Sequence, residues 1–147
     1  GADVIAYPCD VLIPAALEEA ITQDNVDAVQ AGLILEAANS PLTVEAHDRL
    51  TARGVTVIPA ILANAGGVTV SYFEWSQNIQ QYRWEEERVV GELDKIMRRA
   101  YHDVAGLAQK QGIDLRTAAF VLAIRRVVRA ASLRRSSRQA LPASLLS

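Results

Sequence analysis

Three short apolar runs interrupt a mixed pattern in the first part of the chain: Val11-Leu12-Ile13, Leu33-Ile34-Leu35 and Val55-Thr56-Val57-Ile58. Their apolar residues are continuous rather than alternating, as in strands covered on both faces of a parallel sheet. Helical stretches are expected between them. One runs from about Ala16 to Ile21 and one from Thr43 to Ala52, the second with Thr43 as N-cap and Gly54 as its stop. Strands that alternate with helices predict βαβ units, so the expected class is α/β, with about three parallel strands over 11–13, 33–36 and 55–58.

Beyond these strands the period becomes helical. A helix is expected over 65–78, opening at Gly66-Gly67. Over 84–110, Val89, Leu93, Ile96, Met97, Ala100, Val104, Leu107 and Ala108 recur at three and four, one apolar stripe. Gly112 should end that helix, and Asp114 should cap a last one through about Leu133. The segment 134–147 is expected to be a mobile tail. The chain thus divides into a strand–helix half (9–78), C-terminal helices (84–133) and the tail, all within one domain over 1–147.

Composition narrows the class. Half of the residues are hydrophobic and 22% are charged, which describes a globular chain. No apolar run approaches the roughly 20 residues that span a bilayer, and no signal-peptide pattern opens the sequence. One cysteine, Cys9, and two histidines, His47 and His102, make an internal disulfide impossible and a zinc cage improbable, so no metal site is expected. These features together predict a cytoplasmic protein without a membrane partner.

Net charge conceals a gradient. Residues 1–48 hold nine acids and no Lys or Arg, whereas 115–147 hold seven arginines and no acid. Such asymmetry fits a nucleic-acid tail or, more plainly, two ends that face different neighbours or arginines that line a solvated helix face. The arginine segment lacks the interleaved aromatics of a single-strand binder, so no nucleic-acid partner is expected. Cys9 reads as a small buried hydrophobe, His47 and His102 as surface or interface groups, and Glu85-Glu86-Glu87 as dipole-complementing residues at a helix start.

In open α/β sheets, ligands sit beyond the carboxyl ends of the strands. Those ends read Pro14-Ala15-Ala16, Ala37-Ala38-Asn39 and Pro59-Ala60 leading to Asn64. Small side chains let a ligand approach backbone, and an asparagine offers two donors and an acceptor. The same residues also serve as ordinary strand-to-loop punctuation. If 64–78 is helical, Asn64, Val68, Ser71 and Trp75 share one face. The glycines at its start would expose backbone N–H groups favourable to an anion.

Three blocks in order and spacing now carry a resemblance: Cys9-Asp10-Val11-Leu12-Ile13-Pro14-Ala15-Ala16, Glu36-Ala37-Ala38-Asn39-Ser40-Pro41, and Asn64-Ala65-Gly66-Gly67-Val68-Thr69-Val70-Ser71-Tyr72-Phe73-Glu74-Trp75. Together with Leu115-Arg116-Thr117-Ala118-Ala119-Phe120, they resemble the coenzyme domain of glutamate dehydrogenases, over about residues 9–133. Leucine and phenylalanine dehydrogenases share the Asn-Ala-Gly-Gly start but differ after it. The resemblance implies a partial Rossmann-like parallel sheet, NAD or NADP as coenzyme, and glutamate and 2-oxoglutarate as substrates. It matches Ala16, Asn39 and Asn64 to coenzyme-binding positions near the nicotinamide. It matches Val68 to a wall of the amino-acid pocket, and Ser71 to the hydroxyl that meets the substrate's side-chain carboxylate.

The departures are equally specific. No Gly-x-Gly-x-x-Gly occurs, so the pyrophosphate turn and the acid that reads the ribose are absent from this sequence. Lys95 and Lys110, the only lysines, match no catalytic motif, so no catalytic residue is expected here. The sequence resembles the second half of a coenzyme domain plus the C-terminal helices, expected to be inactive alone and to leave the coenzyme without a complete site. An edge strand and long apolar stripes further predict a homo-oligomer. The competing reading is a non-catalytic self-association or interaction module derived from such a domain.

Overall fold

The computed structural model describes residues 2–139, with side chains over 4–134. A short α1 (Ala2–Ile5) leads to β1 (Val11–Leu12). A 3-10 turn at Val26–Ala28 precedes β2 (Leu33–Leu35), and α2 (Val44–Ala52) connects to β3 (Thr56–Ile58). Four helices follow: α3 (Ala60–Ala63), α4 (Ala65–Gln80), α5 (Glu86–Gln111) and α6 (Leu115–Gln139). The strands form one parallel sheet in the order β1-β2-β3, with Leu12 opposite Ile34 and Ile34 opposite Val57. Three-strand α/β architecture followed by helices is what the alternation predicts.

Local chemistry explains the helix ends. Thr43 Oγ1 accepts from Ala46 N at 3.3 Å, the expected N-cap of α2. Gly54 and Gly112, just beyond α2 and α5, take φ of +81° and +64°, where a Cβ would be strained. Asp114 caps α6: its Oδ1 accepts from Thr117 N at 3.0 Å and its Oδ2 from Thr117 Oγ1 at 2.6 Å. The last helix extends to Gln139 instead of ending near Leu133, and the remainder of the expected tail, 140–147, lies outside the described residues.

Two cores result from the strand pleat. Leu12, Ile34 and Val57 point to one face and pack with Ile21, Val26, Val29, Leu42, Ala46 and Leu50. Burying an Ile or Leu side chain of this kind contributes about 1.5–3 kcal/mol. Arg53 closes this layer by donating to the carbonyls of Val26 at 2.9 Å and Val29 at 2.7 Å. On the other face Ile58 packs with Leu62, Val104, Ala108, Ala118 and Ala119 from α3, α5 and α6.

Two expectations are corrected here. The helix over 16–21 does not form. Instead Ile21 makes a parallel bridge to Leu42, with Ile21 N donating to Pro41 O at 2.9 Å and Thr43 N to Ile21 O at 3.0 Å. Glu19, at φ +49°, has already left helical geometry, and a fully buried Ile21 gains more from the core than a single unsupported helical turn would supply. Nor are the strands covered on both faces throughout. The helices of the second layer gather at β3, so Val11 and Ile13 at the β1 edge remain about half exposed (48% and 52%).

Candidate functional site

The carboxyl ends of the strands form an open cleft of about 410 Å³. It is lined by Ala15, Ala16, Leu17 and Glu18 after β1, Ala37, Ala38 and Asn39 after β2, and Asn64 after β3. Ala16, Asn39 and Asn64 are thus brought together from three separate parts of the chain. The β1 and β2 ends are joined by backbone: Ala37 N and Ala38 N both donate to Pro14 O, at 3.2 and 2.9 Å. The β2 and β3 ends are joined by side chains, Asn64 Nδ2 donating to Asn39 Oδ1 at 2.7 Å. Asn64 sits between α3 and α4, where an asparagine usually caps a helix, yet its side chain makes no cap and reaches across the cleft instead. Each asparagine keeps spare capacity, donors on Asn39 Nδ2 and an acceptor on Asn64 Oδ1.

Val68 and Ser71 do not line this cleft. They lie one and two turns further along α4, and both are exposed, Val68 at 77%. Val68, Ser71 and Trp75 thus share the expected face of α4 and are exposed, whereas Asn64 just before the helix turns into the cleft. The Ser71 hydroxyl makes no hydrogen bond to any described residue. Gly67 is equally open: apart from its chain neighbours and its own helix backbone, no described atom lies within 4 Å of where its Cβ would sit. Packing among the described residues therefore does not account for glycine there, although glycine in a helix costs about 1 kcal/mol relative to alanine.

Behind the cleft lies a polar network that the sequence pattern did not reveal. Glu36, fully buried directly after β2, accepts Ala60 N on Oε2 at 2.7 Å and pairs through Oε1 with Arg116 Nη2. Arg116 Nε donates to His47 Nδ1 at 3.3 Å, and His47 Nε2 meets Asp114 Oδ1 at 3.3 Å. With Nδ1 accepting, the ring proton belongs on Nε2, which donates to the carboxylate. Burial pulls the Asp114 carboxyl upward, but the Thr117 hydroxyl, the Thr117 N–H and His47 outweigh it and hold the carboxyl below its ordinary value.

Of the surface or interface position expected, His47 therefore takes neither the exposed one nor one toward another chain: it is buried within this chain, at 6% exposure. It lies on the inner side of α2 against the start of α6, and its polar atoms are satisfied there. His102 is exposed, Cys9 packs partly buried against the first core, and Glu86 and Glu87 occupy the first turn of α5. The one available sequence signal for the network was an acid, Glu36, set directly against an apolar strand. No cluster of three potential metal ligands occurs among the described residues. No described helix is long and apolar enough to cross a membrane.

Comparison with known proteins now bears on this geometry. The family profile described as glutamate/leucine/phenylalanine/valine dehydrogenase matches residues 1–135. The chain belongs to this dehydrogenase family. Within it, the chain is 55% identical over 126 residues to the NADP-specific glutamate dehydrogenase A1 of Halobacterium salinarum, covering 85% of this chain and 30% of that protein. It is 47% identical over 132 residues to an NAD-specific glutamate dehydrogenase of Staphylococcus aureus, covering 90% and 32%. The hetero-hexameric glutamate dehydrogenase of Thermus thermophilus superposes with a TM-score of 0.88 at 34% identity, over 90% of this chain and 32% of that one. The chain thus spans about a third of the length of these dehydrogenases.

Proposed function

We propose that this chain supplies the nicotinamide-facing half of the coenzyme site in an NAD(P)-dependent glutamate dehydrogenase, which converts glutamate to 2-oxoglutarate and ammonia. The observation that carries the reading is the convergence of Ala16, Asn39 and Asn64 on one cleft, in a chain 47–55% identical to glutamate dehydrogenases.

The residues suit the nicotinamide end of a dinucleotide and not its pyrophosphate. Ala15, Ala16, Ala37 and Ala38 leave backbone accessible, and the two asparagines offer the donors and acceptor that a carboxamide or ribose hydroxyl requires. No Gly-x-Gly-x-x-Gly turn is present to cradle phosphates. When bound, the coenzyme supplies the hydride acceptor. The chain's own part is positioning: the asparagine pair holds the ring end, the open Gly67 surface admits close approach, Val68 walls the amino-acid side chain, and Ser71 donates to its carboxylate. Neither Lys95 nor Lys110 matches a catalytic motif, so the proton transfers are assigned to groups outside these 147 residues and the isolated chain is expected to show no turnover. NAD- and NADP-specific relatives are both similar to it, so the proposal covers either coenzyme.

The test is a chimera. This chain replaces the matching segment of the Staphylococcus aureus enzyme, and glutamate-dependent reduction of NAD and NADP is followed. Activity in the chimera with none in the isolated chain is expected. A folded chimera that binds glutamate and coenzyme no better than the host lacking the segment would refute the reading. The second reading, a self-association module, rests on exposed Tyr72, Trp75, Ile79 and Tyr82 along and just after α4. It would prevail if the inactive chimera still assembled through that face.

A further inference from the structure

We propose that Glu36 and Arg116 are positioning residues that set the spacing of the Asn39–Asn64 pair, so that the last helix, α6, fixes the geometry of the cleft. This inference rests on the coenzyme reading for its purpose, but not for its structural content.

Asn39 follows Glu36 by three residues, and Asn64 follows Ala60 by four. Glu36 Oε2 accepts the Ala60 N–H at 2.7 Å, so one carboxylate oxygen ties the start of one asparagine-bearing segment to the start of the other. Backbone continues the tie, since Glu36 N donates to Ile58 O at 3.1 Å and Asn64 N to Ala60 O at 3.0 Å. The two asparagines then meet at 2.7 Å at the far end of the same frame.

A fully buried carboxylate is stable in that position only if its charge is compensated. Arg116 provides the compensation from a point 80 residues away in sequence. Its guanidinium is in turn oriented by His47, and His47 by the Asp114 cap at the start of α6. Arg116 also borders a second cavity of about 290 Å³ that shares Asn39, Pro59, Ala60 and Asn64 with the frame. A displacement of α6 would therefore be felt at the carboxylate first and at the asparagine pair next. The planar fork of arginine serves two acceptors in fixed directions, which a lysine cannot do.

The experiment uses the 147-residue chain with 15N labelling. Side-chain order parameters of Asn39 and Asn64 are compared with backbone values in β2 and α2, for wild type, Glu36→Gln and Arg116→Lys. In Glu36→Gln the amide cannot accept from both Ala60 N and Arg116, and the volume hardly changes. The expected result is a fall of the asparagine order parameters below about 0.6 while the sheet backbone stays near about 0.85. Arg116→Lys keeps a cation against Glu36, and should fold and show the same loss to a smaller extent. Asparagines that remain as ordered as in wild type in either folded variant would overturn the proposal. Titration with nicotinamide mononucleotide separates the two inferences. Wild-type shifts at Ala16, Asn39 and Asn64, weakened at least about tenfold by Glu36→Gln, are expected. No shift in wild type would overturn the coenzyme reading, and the order parameters would still decide the positioning role.

Discussion

Replacing Arg116 by methionine should destabilise the protein far more than loss of a surface arginine. The substitution keeps the aliphatic bulk and removes the charge that faces Glu36. That carboxylate has 0% exposure and, among the described residues, a single remaining partner apart from Arg116, the Ala60 N–H. Removing one partner of a buried pair costs about 3–5 kcal/mol, because the other charge is left without compensation. Domain stabilities are about 5–15 kcal/mol, so about a fifth or more of the total is at stake. Urea unfolding followed by the fluorescence of Trp75 and Trp84 reads the effect. With a slope of about 2 kcal/mol/M, the midpoint should fall by about 1.5–2.5 M. A double variant, Glu36→Leu with Arg116→Met, isolates the cause. It removes both charges but leaves the Ala60 N–H unpaired, a penalty of about 1–3 kcal/mol. The double variant should therefore be more stable than Arg116→Met alone and less stable than wild type. A midpoint shift under about 0.5 M for the single variant, or a double variant less stable than the single, would refute the reasoning.

Asp114→Ala should cost about 1–2 kcal/mol near pH 7 through loss of the α6 cap. The Asp114 carboxyl is held below its unfolded value of about 3.9, so its contribution is present above that pH and is lost as pH falls through the folded value. The gap in urea midpoint between wild type and variant should therefore narrow below about pH 4. In the active chimera, Ser71→Ala should raise the KM for glutamate about ten- to hundredfold, the worth of a charge-assisted hydrogen bond, and leave the coenzyme KM nearly unchanged; equal losses in both would point to a distorted helix. Light scattering at micromolar concentration should show a dimer or larger assembly, because Val11 and Ile13 at the sheet edge and Tyr72, Trp75 and Ile79 on α4 are exposed. A stable monomer would show that these surfaces need no cover.

What the sequence determined by itself is local or carried by unbroken motifs. Thr43, Gly54, Gly112 and Asp114 mark helix ends because capping and positive φ depend on a residue and its near neighbours. The three apolar runs specified a parallel sheet, and its topology brings Asn39 and Asn64 to the same edge, since parallel strands deliver their carboxyl ends together. Tertiary structure decided what depends on distant partners. Ile21 left a helical stretch for a bridge to Leu42, because the free energy of a buried isoleucine exceeds that of one isolated turn. His47 was indistinguishable from a surface histidine until α6 supplied Asp114 and Arg116, 67 and 69 residues away. Glu36 and Arg116 share no local pattern, and their pairing exists only because the last helix meets the sheet where Glu36 is fully buried. Val68 and Ser71 share the helix face that their spacing predicts, but a face becomes a pocket only when something stands opposite it, and among the described residues nothing covers either of them.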